Sequence, residues 1–200
     1  MQKGLLILLL LTLLIYIIYR RVVKKGGSTS VLKSNKQGFH LLQAESRLLR
    51  KTIRNTLISA GVGLGLFIVV ILLAMKIKIL LFLVPISLYL MGQLLLLNNQ
   101  LKYVKDQRIW YQAKTHTVWV EWLNGESHQF DLLTDVQQVK RVQAVQKNKQ
   151  ILFGYYEISL HAGSIHIPLL LADSTANALF FDTLEQHYTV SQKTTMFPLI

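Results

Sequence analysis

Cysteine is missing altogether from this 200-residue chain. Its absence excludes disulfides, thiol nucleophiles and thiolate metal sites. Acid is nearly as scarce over the first half. Residues 1–100 hold 13 Lys and Arg against one carboxylate, Glu45, a net charge of +12, whereas residues 101–200 hold 9 against 9 and are neutral. Proline occurs only at Pro85, Pro168 and Pro198, so long regular elements meet few interruptions. Two runs of 19 residues, Leu57–Met75 and Ile79–Leu97, carry no charge at all. Transport paths and proton relays need ionisable groups within their spans, and no apolar run contains Asp, Glu, Lys, Arg or His.

What is present is a basic, Leu-rich half followed by a balanced one. Ten of the 13 cations lie between Arg20 and Arg54, between apolar runs. A nucleic-acid reader carries its basic patch on a folded soluble surface. Cytoplasmic retention of Lys and Arg beside membrane spans produces the distribution seen here, so no nucleic-acid partner is expected.

The first apolar run, Leu5–Tyr19, is followed by Arg20, Arg21, Lys24 and Lys25. Fifteen helical residues cover about 22 Å at a rise of ~1.5 Å, short of the ~30 Å hydrocarbon core. Val22 and Val23 extend the run, and the arginines can snorkel. A cleaved signal peptide wants a basic amino end and a small-residue cleavage site, but only Lys3 precedes the run against four cations after it and no A-x-A follows, so an uncleaved anchor is expected. The second and third runs are separated only by Lys76-Ile77-Lys78, which forces an antiparallel hairpin. Three spans result. The basic loop assigns the amino terminus to the outside and residues 98–200 to the cytoplasm, with Lys102, Lys105 and Arg108 agreeing and Lys76 and Lys78 dissenting.

Gly61 and Gly65 form a small-xxx-small pair. They are expected to pack against the third run, with a homo-oligomer interface as the alternative. Pro85 is expected to kink the third run mildly. Residues 26–38 read as flexible, and Phe39–Asn55 reads as a basic amphipathic helix. Phe39, Leu42, Leu49 and Ile53 recur near helical spacing, with Arg47, Arg50, Lys51 and Arg54 on other faces. Such a helix lies on anionic lipid at about 1 kcal/mol per nearby cation. Arg20, Arg21, Lys24, Lys25, Arg47, Arg50, Lys51 and Arg54 are the expected membrane-surface residues.

Beyond residue 99 the texture becomes that of strands. Thr115–Trp122 alternates, and Asn124-Gly125 signals a two-residue hairpin back into Ser127–Leu133. Asp135–Val145 reads as a bent strand, Ile151–Leu160 as another with a bulge or bend at Gly154, and Ser164–Leu169 as a short one whose Pro168 marks an edge or an end. A helix capped by Asp173 or Ser174 follows, with Ala176, Leu179, Phe180, Leu184 and His187 or Tyr188 as its apolar stripe. The expected fold is α+β: an anchor (1–25), a basic loop (26–55), a transmembrane hairpin (56–98), a small antiparallel barrel or bent sheet with a closing helix (99–190) and a tail (191–200).

The Leu133–Val142 stretch, the Tyr156–Pro168 hairpin and the closing helix with Asn177-Ala178-Leu179-Phe180 carry a resemblance. Over about residues 57–190 the chain resembles small bacterial membrane proteins with a transmembrane hairpin and a pleckstrin-homology-like carboxy-terminal domain. The first run and the long basic loop depart from the two-span pattern. The resemblance implies a non-catalytic scaffold at the inner membrane, whose partners are the bilayer and a second membrane or cytoplasmic protein.

No chemistry converges in the sequence. His116 and His128 flank one hairpin and His161 and His166 another, but no third ligand has diagnostic spacing and no HExxH exists. His40 stands alone and His187 suits a helix carboxy end. The carboxylates Glu121, Glu126, Asp131, Asp135 and Glu157 show no acid–base pairing, and neither a nucleophile elbow nor a phosphate loop is found. Trp110, Trp119 and Trp122 read as β-domain core. No catalytic residue, cofactor or metal is expected. Lys140, Arg141, Lys147 and Lys149 cluster around one turn and are the candidates for an anion or an acidic partner, against the simpler reading of a solvated loop. The alternative function is a structural or assembly subunit of a larger membrane complex, packed through its helices.

Overall fold

A computed structural model describes residues 38–74, 76–145, 153–161 and 163–200. The first apolar run, its cations Arg20, Arg21, Lys24 and Lys25, and the turn residues Lys147 and Lys149 lie outside the described residues. The chain is α+β, with two long apolar helices followed by antiparallel and mixed sheets.

Helix α1 runs unbroken over Ser46–Ala74; a 3-10 segment at Lys78–Leu83 then leads into α2, Val84–Asp106. Two helical stretches, Ser46–Ala74 and Lys78–Asp106, are long and apolar enough to cross a membrane. Of the amphipathic helix expected over Phe39–Asn55, residues 46–55 are helical and continue directly into the second apolar run. Residues 46–55 and the run make one rod of 29 residues, about 43 Å at ~1.5 Å per residue. Pro85 starts α2 rather than kinking it, because a first-turn position needs no intrahelical N–H donor.

The two rods pack along Thr52, Thr56, Ala60 and Gly63 of α1, all buried at helical spacing. Gly63 is the point of closest approach. A Cβ there would stand 2.6 Å from the Leu90 Cβ and 2.9 Å from the Ser87 carbonyl. Gly61 and Gly65, expected to pack against the third run, point away, and a Cβ at either meets nothing within 4 Å. Two residues along a helix is a turn of about 200°, so the three glycines cannot share one face.

Residues 39–45 are not helical, contrary to the periodicity of Phe39, Leu42, Leu49 and Ile53. His40–Leu41 form β1, antiparallel to Trp110 and Tyr111, and the Leu42 amide donates to the Ile109 carbonyl at 2.8 Å. Leu42 thereby enters the domain core. The strands β2 (Gln107–Gln112), β3 (Thr117–Trp122) and β4 (Ser127–Asp131) complete the first sheet, ordered β1-β2-β3-β4. The β3–β4 connection is one residue longer than a two-residue hairpin. Trp122 N–H donates to the Glu126 carbonyl, which leaves Leu123, Asn124 and Gly125 in the loop, with Gly125 at φ +90°. A three-residue loop needs its last residue left-handed, and Gly supplies that without strain.

The second sheet is ordered β7-β6-β5-β8, from β5 (Val136–Ala144), β6 (Gly154–Leu160), β7 (Gly163–Pro168) and β8 (Ser191–Thr195). A register shift between Val136 and Gln138 gives β5 the expected bend. Pro168 both ends β7 and lies on an edge strand. The expected tail is partly a strand: β8 runs parallel to β5, pairing Lys140 with Ser191 through to Ala144 with Thr195.

A one-turn helix α3 (Leu169–Ala172), a 3-10 turn (Thr175–Asn177) and α4 (Ala178–His187) cover the core that both sheets share. Phe180, Phe181 and Leu184 are the buried residues of α4, whereas Leu179 is exposed and Ala176 and His187 face outward. The apolar stripe is thus rotated by about one residue from the expected one. No side chain of Asp173 or Ser174 caps it.

Asn177 is the polar pin of this layer. Almost fully buried at 1% exposure, its Oδ1 accepts from Gln43 N (3.3 Å) and its Nδ2 donates to the carbonyls of Gln43 (2.9 Å) and Leu171 (2.8 Å). Asn177→Ala leaves three backbone groups without these partners. The expected loss is about 3 kcal/mol, a fall of roughly 6–12 °C in the midpoint for a chain of this size. Thermal unfolding of the detergent-purified chain, followed by tryptophan fluorescence, reads it; an unchanged midpoint refutes the assignment.

Candidate functional site

The helical rods carry their apolar side chains outward. Ile79, Phe82, Leu72 and Leu95 are 70, 80, 61 and 65% exposed. Only 17% and 22% of the most apolar part of each helical stretch is buried within the molecule. A core helix of a soluble domain has the reverse arrangement, its apolar face covered.

At the domain end of α1 the surface changes sign of preference. Arg47, Arg50, Lys51 and Arg54 are all exposed. Their spacing of three, one and three places them within about 100° of one helical face. The opposite face presents Leu49 and Ile53, which pack against the cluster of Leu96, Leu97, Leu101, Ala144 and Phe153. That cluster joins the base of the hairpin to the ends of β5 and β6, so the β domain sits directly on the helices. Exposed Lys102 adds a cation from α2. The two rods agree on the level of this collar. Nine residues from Gly63 towards the domain is Arg54, and nine from its neighbour Leu90 is Asn99, within the polar Asn98-Asn99-Gln100.

The collar does not serve the helix itself. Cations in the first turns oppose the macrodipole, by roughly 0.3–1 kcal/mol for each near the end. The first turn of α1 has no acid. An anionic surface outside the molecule is what such a stripe matches.

Of the expected cluster, Lys140 and Arg141 lie within the described residues. Lys140 and Arg141 are consecutive in β5 and so face opposite sides of the sheet. Lys140 stands cross-strand from Glu157. Arg141 turns under α4: its Nη1 lies 3.8 Å from Glu185, and its Cζ is 5.7 Å from the centre of the Tyr156 ring. The Tyr156 hydroxyl donates to Glu185 Oε1 at 2.5 Å. Burial, and then this bond to a carboxylate, push the Tyr156 phenol far above its ordinary range, so it stays a donor at any physiological pH. Arg141 Nε is buried with no acceptor among the described residues. Beside it an open groove of about 370 Å³ is lined by Glu185, Gln186, His187, Tyr188 and Gln192. With Arg141 and the carboxylate of Glu185 both lining it, the groove is a polar cleft of mixed charge.

The chain was compared with protein-family models, curated proteins and solved structures, and none matches.

The histidines pair in other ways than the hairpins suggested. His128 lies opposite Val120, whereas the His116 carbonyl accepts from Leu132 at the far end of the same ladder. His116, at φ +51°, places Nδ1 3.1 Å from the Tyr111 hydroxyl and its ring 6.4 Å from that of His187. His161 meets Gln137 at 2.7 Å, while His166 lies edge-on to Tyr155. Burial lowers the His166 pKa from its ordinary value, with Glu157 opposing. Among the described residues no three of His, Asp and Glu converge as metal ligands.

Proposed function

We propose that this chain is an integral protein of the bacterial inner membrane that presents a pleckstrin-homology-like domain to the cytoplasm as a binding and scaffolding module, without a reaction of its own. The observation that carries this reading is the collar: four exposed cations on one face of α1, between an outward-facing apolar shaft and a β domain seated on the helix ends. The apolar shaft matches hydrocarbon, the collar matches anionic headgroups, and positive charge marks the cytoplasmic side. Residues 5–19 supply the third span in this reading, with the amino terminus outside. Two three-stranded antiparallel meanders followed by a helix fit the pleckstrin-homology-like resemblance.

The test is made on the full chain in bacterial cells. It should stay with membranes through an alkaline carbonate wash. A fluorescent protein fused after Ile200 should fluoresce, and alkaline phosphatase at the same place should be inactive. With Arg47, Arg50, Lys51 and Arg54 all changed to Glu, the phosphatase fusion should gain activity. A monodisperse chain in the supernatant without detergent overturns the membrane reading, and an active phosphatase on the native sequence overturns its orientation.

The open face around Gly61 and Gly65 favours a second reading, an assembly subunit packed through its helices. Mass in mild detergent separates the two: a monomer or dimer supports the scaffold, a larger mixed complex the subunit.

A further inference from the structure

The described chain does not stop at β8. After the polar Ser191–Thr195 come Met196, Phe197, Pro198, Leu199 and Ile200, an abrupt change to apolar residues. Because β8 is parallel to β5, it heads for the base of the hairpin, where Ala144 packs on Leu96 and Leu97. The segment then leaves the domain and runs down α2. The Phe197 ring lies against Tyr89, with centroids 5.6 Å apart, and fills the place of the side chain that Gly92 lacks, where a Cβ would stand 2.8 Å from the ring. The chain turns at Pro198 and comes back: Ile200 N–H donates to Asn99 Oδ1 (3.0 Å), Asn99 Nδ2 to the Ile200 carbonyl (3.1 Å), and Gln100 Nε2 to the Pro198 carbonyl (3.3 Å).

Depth follows from the helix. Asn99 stands level with the collar, and Gly92 lies seven residues further from the domain, about 10 Å at ~1.5 Å per residue. The Phe197 ring is therefore well past the polar boundary and beside the apolar shaft. Met196 and Leu199 on the same turn are 61 and 52% exposed, so the segment between the Gly92 and Asn99 levels presents apolar surface outward.

We propose that residues 196–200 form a re-entrant wedge that inserts into the bilayer leaflet next to the collar, with Met196 and Leu199 contacting acyl chains and the Phe197–Gly92 contact setting its depth. The ligand is the lipid itself. Asn99 and Gln100 answer the Pro198 carbonyl and both main-chain groups of Ile200, Phe197 N–H donates to Thr195 Oγ1, and Leu199 N–H donates to the Phe197 carbonyl, which lowers the usual cost of irregular backbone at this level. The wedge ties β8, and through it β5, to the membrane independently of the helix connection at Asp106. This inference rests on the membrane reading above.

The absence of native cysteine makes the test direct. Single substitutions Met196→Cys, Leu199→Cys, Leu72→Cys and Ser191→Cys are labelled with a nitroxide in the full chain and reconstituted into phosphatidylethanolamine–phosphatidylglycerol vesicles. Collision with oxygen, which concentrates in lipid, is compared with collision with a water-soluble nickel chelate. Labels at 196 and 199 should follow Leu72, with an oxygen-to-nickel ratio several-fold above that at Ser191. If they follow Ser191 while Leu72 reports lipid, the wedge is refuted and the membrane reading stands. Shielding from both reagents places the segment against protein and also refutes it. A nickel-accessible Leu72 refutes the membrane reading itself. In Gly92→Leu, which takes the Phe197 site, the 199 label should move towards the Ser191 value.

Discussion

Gly63→Leu opens the helical hairpin. The native contact leaves no room for any side chain: the first added carbon falls 2.6 Å from one Leu90 atom and 3.1 Å from the Met91 backbone nitrogen. The rods must separate, and Thr56 and Ala60 lose their cover with them. Overpacking of this kind costs about 3 kcal/mol, or roughly 6–12 °C in the midpoint. Gly61→Leu and Gly65→Leu are the matched controls. Their positions are open, and leucine is the better helix former by about 0.8 kcal/mol, so their midpoints should hold or rise. Mass in detergent adds a second reading of the same three variants. If Gly61 and Gly65 pack copies of the chain together, their leucine variants dissociate the oligomer, whereas Gly63→Leu lowers the midpoint at any mass. A stable Gly63→Leu variant refutes the hairpin geometry.

The glycines show where sequence reasoning stops. Spacing reveals that small residues recur, but the phase that matters is set by where the partner helix lies. The same limit explains β1. Phe39, Leu42, Leu49 and Ile53 have helical spacing, yet His40 and Leu41 pair with residues about 70 positions away, and no local period encodes a partner that distant. Strand β8 was invisible for a related reason. Ser191–Thr195 has no apolar alternation because its hold on β5 is main-chain pairing at an exposed edge. The two long helices were legible because a charge-free stretch of that length has few other fates. Strands β3 to β7 were legible because alternation and turn residues are visible together, whereas β2 went unread because Ile109, Trp110 and Tyr111 are buried in succession and show no alternation. For the candidate site, the sequence sets Arg47, Arg50, Lys51 and Arg54 off from the apolar residues, and the helix α1 puts them on one exposed face. Lys140 and Arg141 look like neighbours in sequence, and a period of two separates them across the sheet.

Gly154→Ala should be the most damaging single methyl group in the β domain. Sequence reading offered a bulge or a bend at this glycine, but the structure shows a close approach of two main chains. A Cβ at Gly154 would lie 2.2 Å from the Val142 carbonyl oxygen and 2.9 Å from the Gln143 Cα. Backbone on a paired strand cannot step aside as a flexible side chain does. Either the β5–β6 ladder breaks at Gln143, or β6 shifts and carries Phe153 with it. Phe153 is 1% exposed and, with Ala144, is what the domain presents to Leu96, Leu97 and Leu101. The methyl group therefore strains the sheet and loosens the seat of the domain on the helices. The expected cost is about 3 kcal/mol or more, enough to remove much of the stability of a small domain. Limited proteolysis of the detergent-solubilised chain distinguishes this from a general loss of folding. In Gly154→Ala, cleavage should appear within residues 107–195 while the hairpin fragment stays intact; in Gly63→Leu the helices should become susceptible first. Gly154→Ala with native resistance and an unchanged midpoint contradicts the close approach, and with it the seating of the domain on which the collar's position depends.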